Sequence, residues 1–187
     1  MATYAQIKIN TAAAQAQPYH TDEIQGIGQA MQDICDNLSA ASSKAFAHSS
    51  LSVDQISNFT VGNHVQFEIL DFVQGGITIS TGVGQADGIF SLPAGKTYNL
   101  MGTVSANFSG AGSYNIDLQW RIVTGGLIGK IAHIIPQQST AKESAQPIAS
   151  AMITTVGITQ VQLETVAITG TATQFYAANS FARITEI

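Results

Sequence analysis

The chain has 187 residues, 45% of them apolar and only 10% charged, with a formal net charge of -5 and a mean hydropathy of +0.17. Its seven Lys and Arg residues are scattered, which excludes a nucleic-acid partner, because phosphate binding needs clustered cations. A single cysteine, Cys35, excludes an intrachain disulfide and a cysteine-based metal site, and no run approaches the roughly 18 apolar residues of a membrane helix.

Typical soluble domains carry roughly 25% charged residues. With so few here, two readings of the surface stand. Either much of it is buried against other chains, or Ser, Thr, Gln, Asn and Gly cover it. The segment Met1-Ala2-Thr3-Tyr4-Ala5-Gln6 lacks the basic and apolar regions of a signal peptide, so synthesis in a cytoplasm without a membrane anchor is expected.

In chain order, Tyr4-Ala5-Gln6-Ile7-Lys8-Ile9 reads as a short strand or an extended arm, followed by Ala- and Gln-rich sequence up to Pro18. Thr21 is a candidate N-cap, with Asp22 and Glu23 in the first turn, where the helix dipole favours acids. Ile24, Ile27, Met31, Ile34 and Leu38 then recur at steps of three and four, the a/d spacing of a heptad. Ala41 and Ala45 continue the register, which would bring His48 to a d position. This stripe is the candidate attachment and oligomerisation element: a three-stranded coiled coil or a docking helix. The alternative is an amphipathic helix lying on its own domain, since two heptads are fewer than a convincing coiled coil needs.

After Leu51 the apolar period becomes two. Val65, Phe67 and Ile69 alternate with polar residues, as do Ile77 and Ile79. Strands are predicted over 89–92, 98–108, 114–122, 127–135, 149–155, 160–168 and 175–187. Glycine-rich turns separate most of them, and a polar loop spans 136–147. The closing stretch Ser180-Phe181-Ala182-Arg183-Ile184-Thr185-Glu186-Ile187 is expected to pair inside a sheet, with Phe181, Ile184 and Ile187 closing it. The expected architecture is mainly β: a jelly-roll sandwich with an N-terminal extended arm and one amphipathic helix. The expected division is residues 1–57, arm and helix, and residues 58–187, the sandwich.

Catalytic chemistry finds no motif. Asp71, Asp87 and Asp117 are not paired at a spacing that suggests a hydrolase, and His20, His48, His64 and His133 share no pattern. His48 is the best placed for a metal on a three-fold axis, where symmetry would supply three copies. No catalytic residue, metal ligand or cofactor is assigned. Gly82-Val83-Gly84-Gln85-Ala86-Asp87-Gly88 has the wrong spacing for a dinucleotide loop, and no helix follows it. Cys35 reads as a small packing residue. Trp120 reads as a core residue or a subunit contact, with carbohydrate stacking as the alternative.

The order of pieces over 58–187 resembles the trimeric jelly roll of the complement globular-head and tumour-necrosis-factor superfamily. Gly88-Ile89-Phe90-Ser91-Leu92-Pro93-Ala94-Gly95-Lys96-Thr97-Tyr98 is similar to that family's glycine, aromatic strand, Pro-x-Gly and strand-opening Tyr. Thr159-Gln160-Val161-Gln162-Leu163-Glu164 is similar to its penultimate strand, and Phe181-Ala182-Arg183-Ile184-Thr185-Glu186-Ile187 to its closing one. The resemblance implies a non-enzymatic homotrimer. Gln/Ala-rich arms and no signal peptide look most like bacteriophage virion proteins, which implies a virion location. The expected function is a capsid decoration or cement knob anchored by its N-terminal segment to the major capsid protein or another virion protein. Three weak arms acting together would multiply modest affinities by about 10²–10⁴. The alternative is the receptor-binding tip of a tail fibre or head fibre, with the 136–147 loop as its recognition surface.

Overall fold

The computed structural model describes residues 21–42, 44–57, 60–80, 87–109, 115–134 and 147–187, with side chains described except at 21–25, 37–42, 109 and 171–172. The predicted arm and residues 136–146 of the predicted loop lie outside the described residues. The chain divides into two compact units, Met1–Ser43 and Lys44–Ile187.

In the first unit, α1 (Thr21–Ser42) is a single 22-residue helix. Side-chain amides of Gln29 and Gln32 donate to Asp33 (2.8 Å) and Asp36 (2.6 Å), one turn on. Such i,i+4 bonds support an isolated helix by a few tenths of a kcal/mol each. No helix among the described residues is long and apolar enough to cross a membrane.

The second unit is a nearly closed antiparallel sandwich of jelly-roll type. Its strands are β1 (Phe46–Ser50), β2 (Ile69–Gln74), β3 (Thr78–Ile79), β4 (Phe90–Leu92), β5 (Thr97–Ser109), β6 (Asn115–Ile122), β7 (Leu127–Ile134), β8 (Ala149–Thr154), β9 (Thr159–Thr169) and β10 (Thr171–Glu186). They run in the order β2-β1-β10-β5-β8-β7-β6-β9-β4-β3. The two layers, β2-β1-β10-β5-β8 and β7-β6-β9-β4-β3, are joined through the Lys130–Ser150 pair of β7 and β8.

Alternation sends one side chain in two between the layers. Trp120, Tyr98, Phe67, Phe90, Leu100, Leu163 and Ile184 are all fully buried there. Trp120 meets Phe90 edge-on at 6.1 Å and donates its indole N–H to the Ala149 carbonyl at 3.2 Å, so it is a core residue and offers no face to a sugar or a subunit. Gly102 of β5 makes room: a Cβ there would sit 2.9 Å from Leu163 Cδ2 and 3.2 Å from the Trp120 ring. Burial pushes the Tyr98 phenol up to about 12, and its hydroxyl donates to the Pro93 carbonyl.

The boundary between the units falls at Ser43 and Lys44, not near residue 57. Phe46–Ser50 is a strand between β2 and β10. Its inward residues are Ala47 and Ser49, too small to register as an apolar alternation. Ala45 and His48 therefore belong to the sandwich, and the heptad register does not reach them. Lys96 Nζ and the Ala45 amide both bond Glu186 Oε2, at 2.7 and 2.6 Å. The lysine hydrogen bond, foremost, holds this carboxyl below the usual range, and the cluster ties the start of β1 to the end of β10.

Gly129 lies at the seam between the layers with φ +74°, where a Cβ would overlap the Ser150 carbonyl and Ala151. Gly129→Ala is expected to cost about 2–4 kcal/mol, combining left-handed strain with overpacking, and to lower the thermal midpoint measured by circular dichroism.

Candidate assembly face

The outward side of the β2-β1-β10-β5-β8 layer is built by three cross-strand rows. The first runs Phe72, His48, Arg183, Met101, Ser150. The second runs Gln74, Phe46, Thr185, Asn99, Met152, and the third Ile69, Ser50, Phe181, Thr103. A bulge at His48 and Ser49 sets Asp71 beside Phe72 on the outer strand.

These side chains form one aromatic and charged cluster. Phe46 and Phe72 rings lie 5.5 Å apart. The Arg183 guanidinium sits 5.2 Å over the Phe46 ring, and His48 stacks on Phe181 at 5.9 Å and 18°. Asp71 accepts from His48 Nδ1 and from Ser50 Oγ, each at 3.0 Å. Asp71 thus has two donors and Arg183 a ring face, while Phe72 remains 54% exposed and Met152 68%. Exposed aromatics, methionine and a ring-stacked arginine are what the centres of protein–protein interfaces are enriched in, and a contiguous exposed patch of this kind marks an interaction surface.

Of the predicted closing residues, Ile184 is fully buried between the layers. Phe181 is half-buried on the outward face, where it contacts His48. Ile187 differs from expectation: its amide donates to the Thr97 carbonyl at 3.0 Å, but its side chain is 59% exposed, one residue past the strand. On α1, Ile27 and Ile34 are 62% and 58% exposed, and Met31 is exposed beside them. The side chains of Ile24 and Leu38 lie outside the described residues, as does His20. Cys35 is half-buried with a free thiol.

Two His–Asp pairs arise that spacing did not reveal, His48–Asp71 and His133–Asp117. Both join neighbouring strands, so only strand order could have paired them. Ser50 bonds the carboxylate of Asp71 and not the imidazole of His48, so the three do not form the relay in which an imidazole activates a serine hydroxyl. Among the described residues, no three His, Cys, Asp or Glu side chains converge as metal ligands. A cleft of about 450 Å³ between the β6–β7 and β8–β9 turns is lined by Ile122, Ile153, Val156 and Ile158 with Thr, Gly and Gln, and none of its lining residues titrates.

No protein-family model matches the sequence, and no curated protein matches it. Among solved structures, murine APRIL at pH 5.0 is similar at 7% identity and a TM-score of 0.49, over 77% of this chain and 99% of that one. The globular domain of zebrafish complement 1qA protein is similar at 13% identity and a TM-score of 0.47, over 77% of this chain and 97% of that one.

Proposed function

We propose that the chain is a structural virion protein, a capsid decoration or cement protein whose sandwich assembles as a homotrimeric knob and whose N-terminal segment anchors it. The observation that carries the assembly is the outward face of β2-β1-β10-β5-β8, where Phe46, Phe72, Phe181, Met101, Met152 and Arg183 gather on a chain otherwise poor in charge. Closed symmetry covers such a face without leaving a free copy of it. The number three and the virion setting come from the sequence resemblance. The division into a helix unit and a sandwich unit supports separate jobs of anchoring and display, and the exposed Ile27, Met31 and Ile34 stripe is the anchoring element.

The reading is tested on purified particles by quantitative gel. Hundreds of copies per particle are expected for a decoration protein, and a few to tens would indicate the fibre-tip alternative. Absence from particles would overturn the virion reading. With particles lacking the protein, the full chain is expected to bind. The Lys44–Ile187 unit, folded on its own core, and the Ile27→Asp/Ile34→Asp double variant are expected not to bind. Equal binding by the sandwich alone would place the anchor in the jelly roll.

A further inference from the structure

His64 lies in a strap, residues 60–67, that runs along the edge of β9 and continues the line of β4. Gly62 N–H donates to the Thr165 carbonyl (2.9 Å), Thr165 N–H to Asn63 (2.8 Å), and Val65 N–H to Leu163 (2.9 Å). Val65 and Phe67 point into the core and are fully buried, so the alternating residue His64 faces the other way. There it is 3% exposed, opposite Glu164 in an antiparallel bridge, with Nε2 2.5 Å from the Asp87 carbonyl. Gly88, at φ +76°, completes the contact: a Cβ there would overlap the Val65 carbonyl, so turn and strap touch backbone to backbone. One imidazole thus joins three pieces: the strap, the turn before β4, and β9.

We propose that His64 is an acid-operated clasp that holds the strap on β9 while neutral and releases it when protonated. A neutral ring meets the Asp87 carbonyl as an N–H donor. A second proton would put a full charge into a site that water scarcely reaches. The charged groups around it are Glu164 on β9, Asp87 in the turn, and Arg121 on β6. The two carboxylates favour the cation, but Glu164 is already engaged by Arg121 at 2.5 Å and by the Gln162 amide at 3.1 Å. Burial outweighs them, with the Asp87 carbonyl, Glu164 and Asp87 charges opposing it, and holds the imidazole below histidine's ordinary 6.5.

The sign follows from proton counting. The unfolded or opened strap binds a proton more readily than the closed one. The closed state therefore keeps its full stability above pH 6.5, loses it as pH falls below that, and stops losing it below the closed-state value. Phe67, fully buried, anchors the end of the strap in the core, so opening is confined to residues 62–65 and bares ladder groups of Leu163 and Thr165 on β9, an edge open to another strand.

Amide hydrogen exchange, corrected for intrinsic rates, tests this between about pH 7.5 and about pH 5. The amides of Gly62, Val65 and Thr165 are expected to lose protection at the lower pH, while those of Leu100 and Ile184 keep theirs. His64→Gln retains a donor for Asp87 without a titrating ring, so its strap is expected to stay protected at the lower pH. Unchanged wild-type protection, or the same loss in His64→Gln, would overturn the clasp. Should that variant fail to fold, the His64 ring resonances of the wild type decide by NMR: a midpoint below 6.5 supports the clasp, and one at or above it overturns it.

Discussion

A chain lacking residues 180–187 is expected to be insoluble or unfolded. These residues form the end of β10, which lies between β1 and β5 and pairs with both through Phe181–Thr185. Ser180 Oγ donates to the Tyr176 carbonyl and accepts from the Ser105 amide, closing the bulge at which β10 turns back into register. Ala182 and Ile184 are fully buried, and Glu186 bonds both Lys96 and the Ala45 amide. Loss of the Ile184 side chain alone would cost about 2–5 kcal/mol, against a total stability of about 5–15 kcal/mol. Removing the segment also strips a ladder from each neighbouring strand and leaves buried amides without acceptors. Solubility and a far-ultraviolet thermal melt are the measurements. A soluble protein with unchanged melting would contradict the central position of β10.

The wild-type protein is expected to scatter light as close to three chains, and Phe72→Asp/Met152→Asp as one. Both side chains are largely exposed in the single chain, so the substitution leaves the sandwich core untouched. In the assembly, each would place a carboxylate in a covered apolar surface. An uncompensated buried charge costs roughly 3–5 kcal/mol, and rotational symmetry repeats it in every copy. A wild-type monomer at micromolar concentration, or a double variant that still forms three-chain particles with normal melting, would rule out this face as the assembly surface.

The strands from β4 onward were legible from the sequence because their signal is local. Leu118 and Trp120 alternate with Gln119 and Arg121 on β6, and the Pro93-Ala94-Gly95 turn separates β4 from β5. The helix was legible for the same reason, from its three-and-four spacing, and it ends at Ser42. Strand β1 was not: its buried positions are Ala47 and Ser49, whose side chains carry almost no hydropathy. Residues 64–67 show the converse. Val65 and Phe67 alternate as a strand would and are buried as one, yet only a single bridge at His64 pairs there.

The assembly face and the clasp belong to the tertiary structure alone. Phe46, Phe72, Asp71, Arg183 and Phe181 are spread over more than a hundred residues of sequence, and only the order β2-β1-β10 puts them in contact. Period two says that Arg183 and Ile184 face opposite ways; it does not say which way is inward until a second layer covers Ile184. Likewise, a histidine between Asn63 and Val65 carries no mark of burial. Its place against Asp87 and Glu164 is set by a strap lying on the stretch of β9 that β4 leaves uncovered, about a hundred residues away, a long-range pairing that local patterns do not encode.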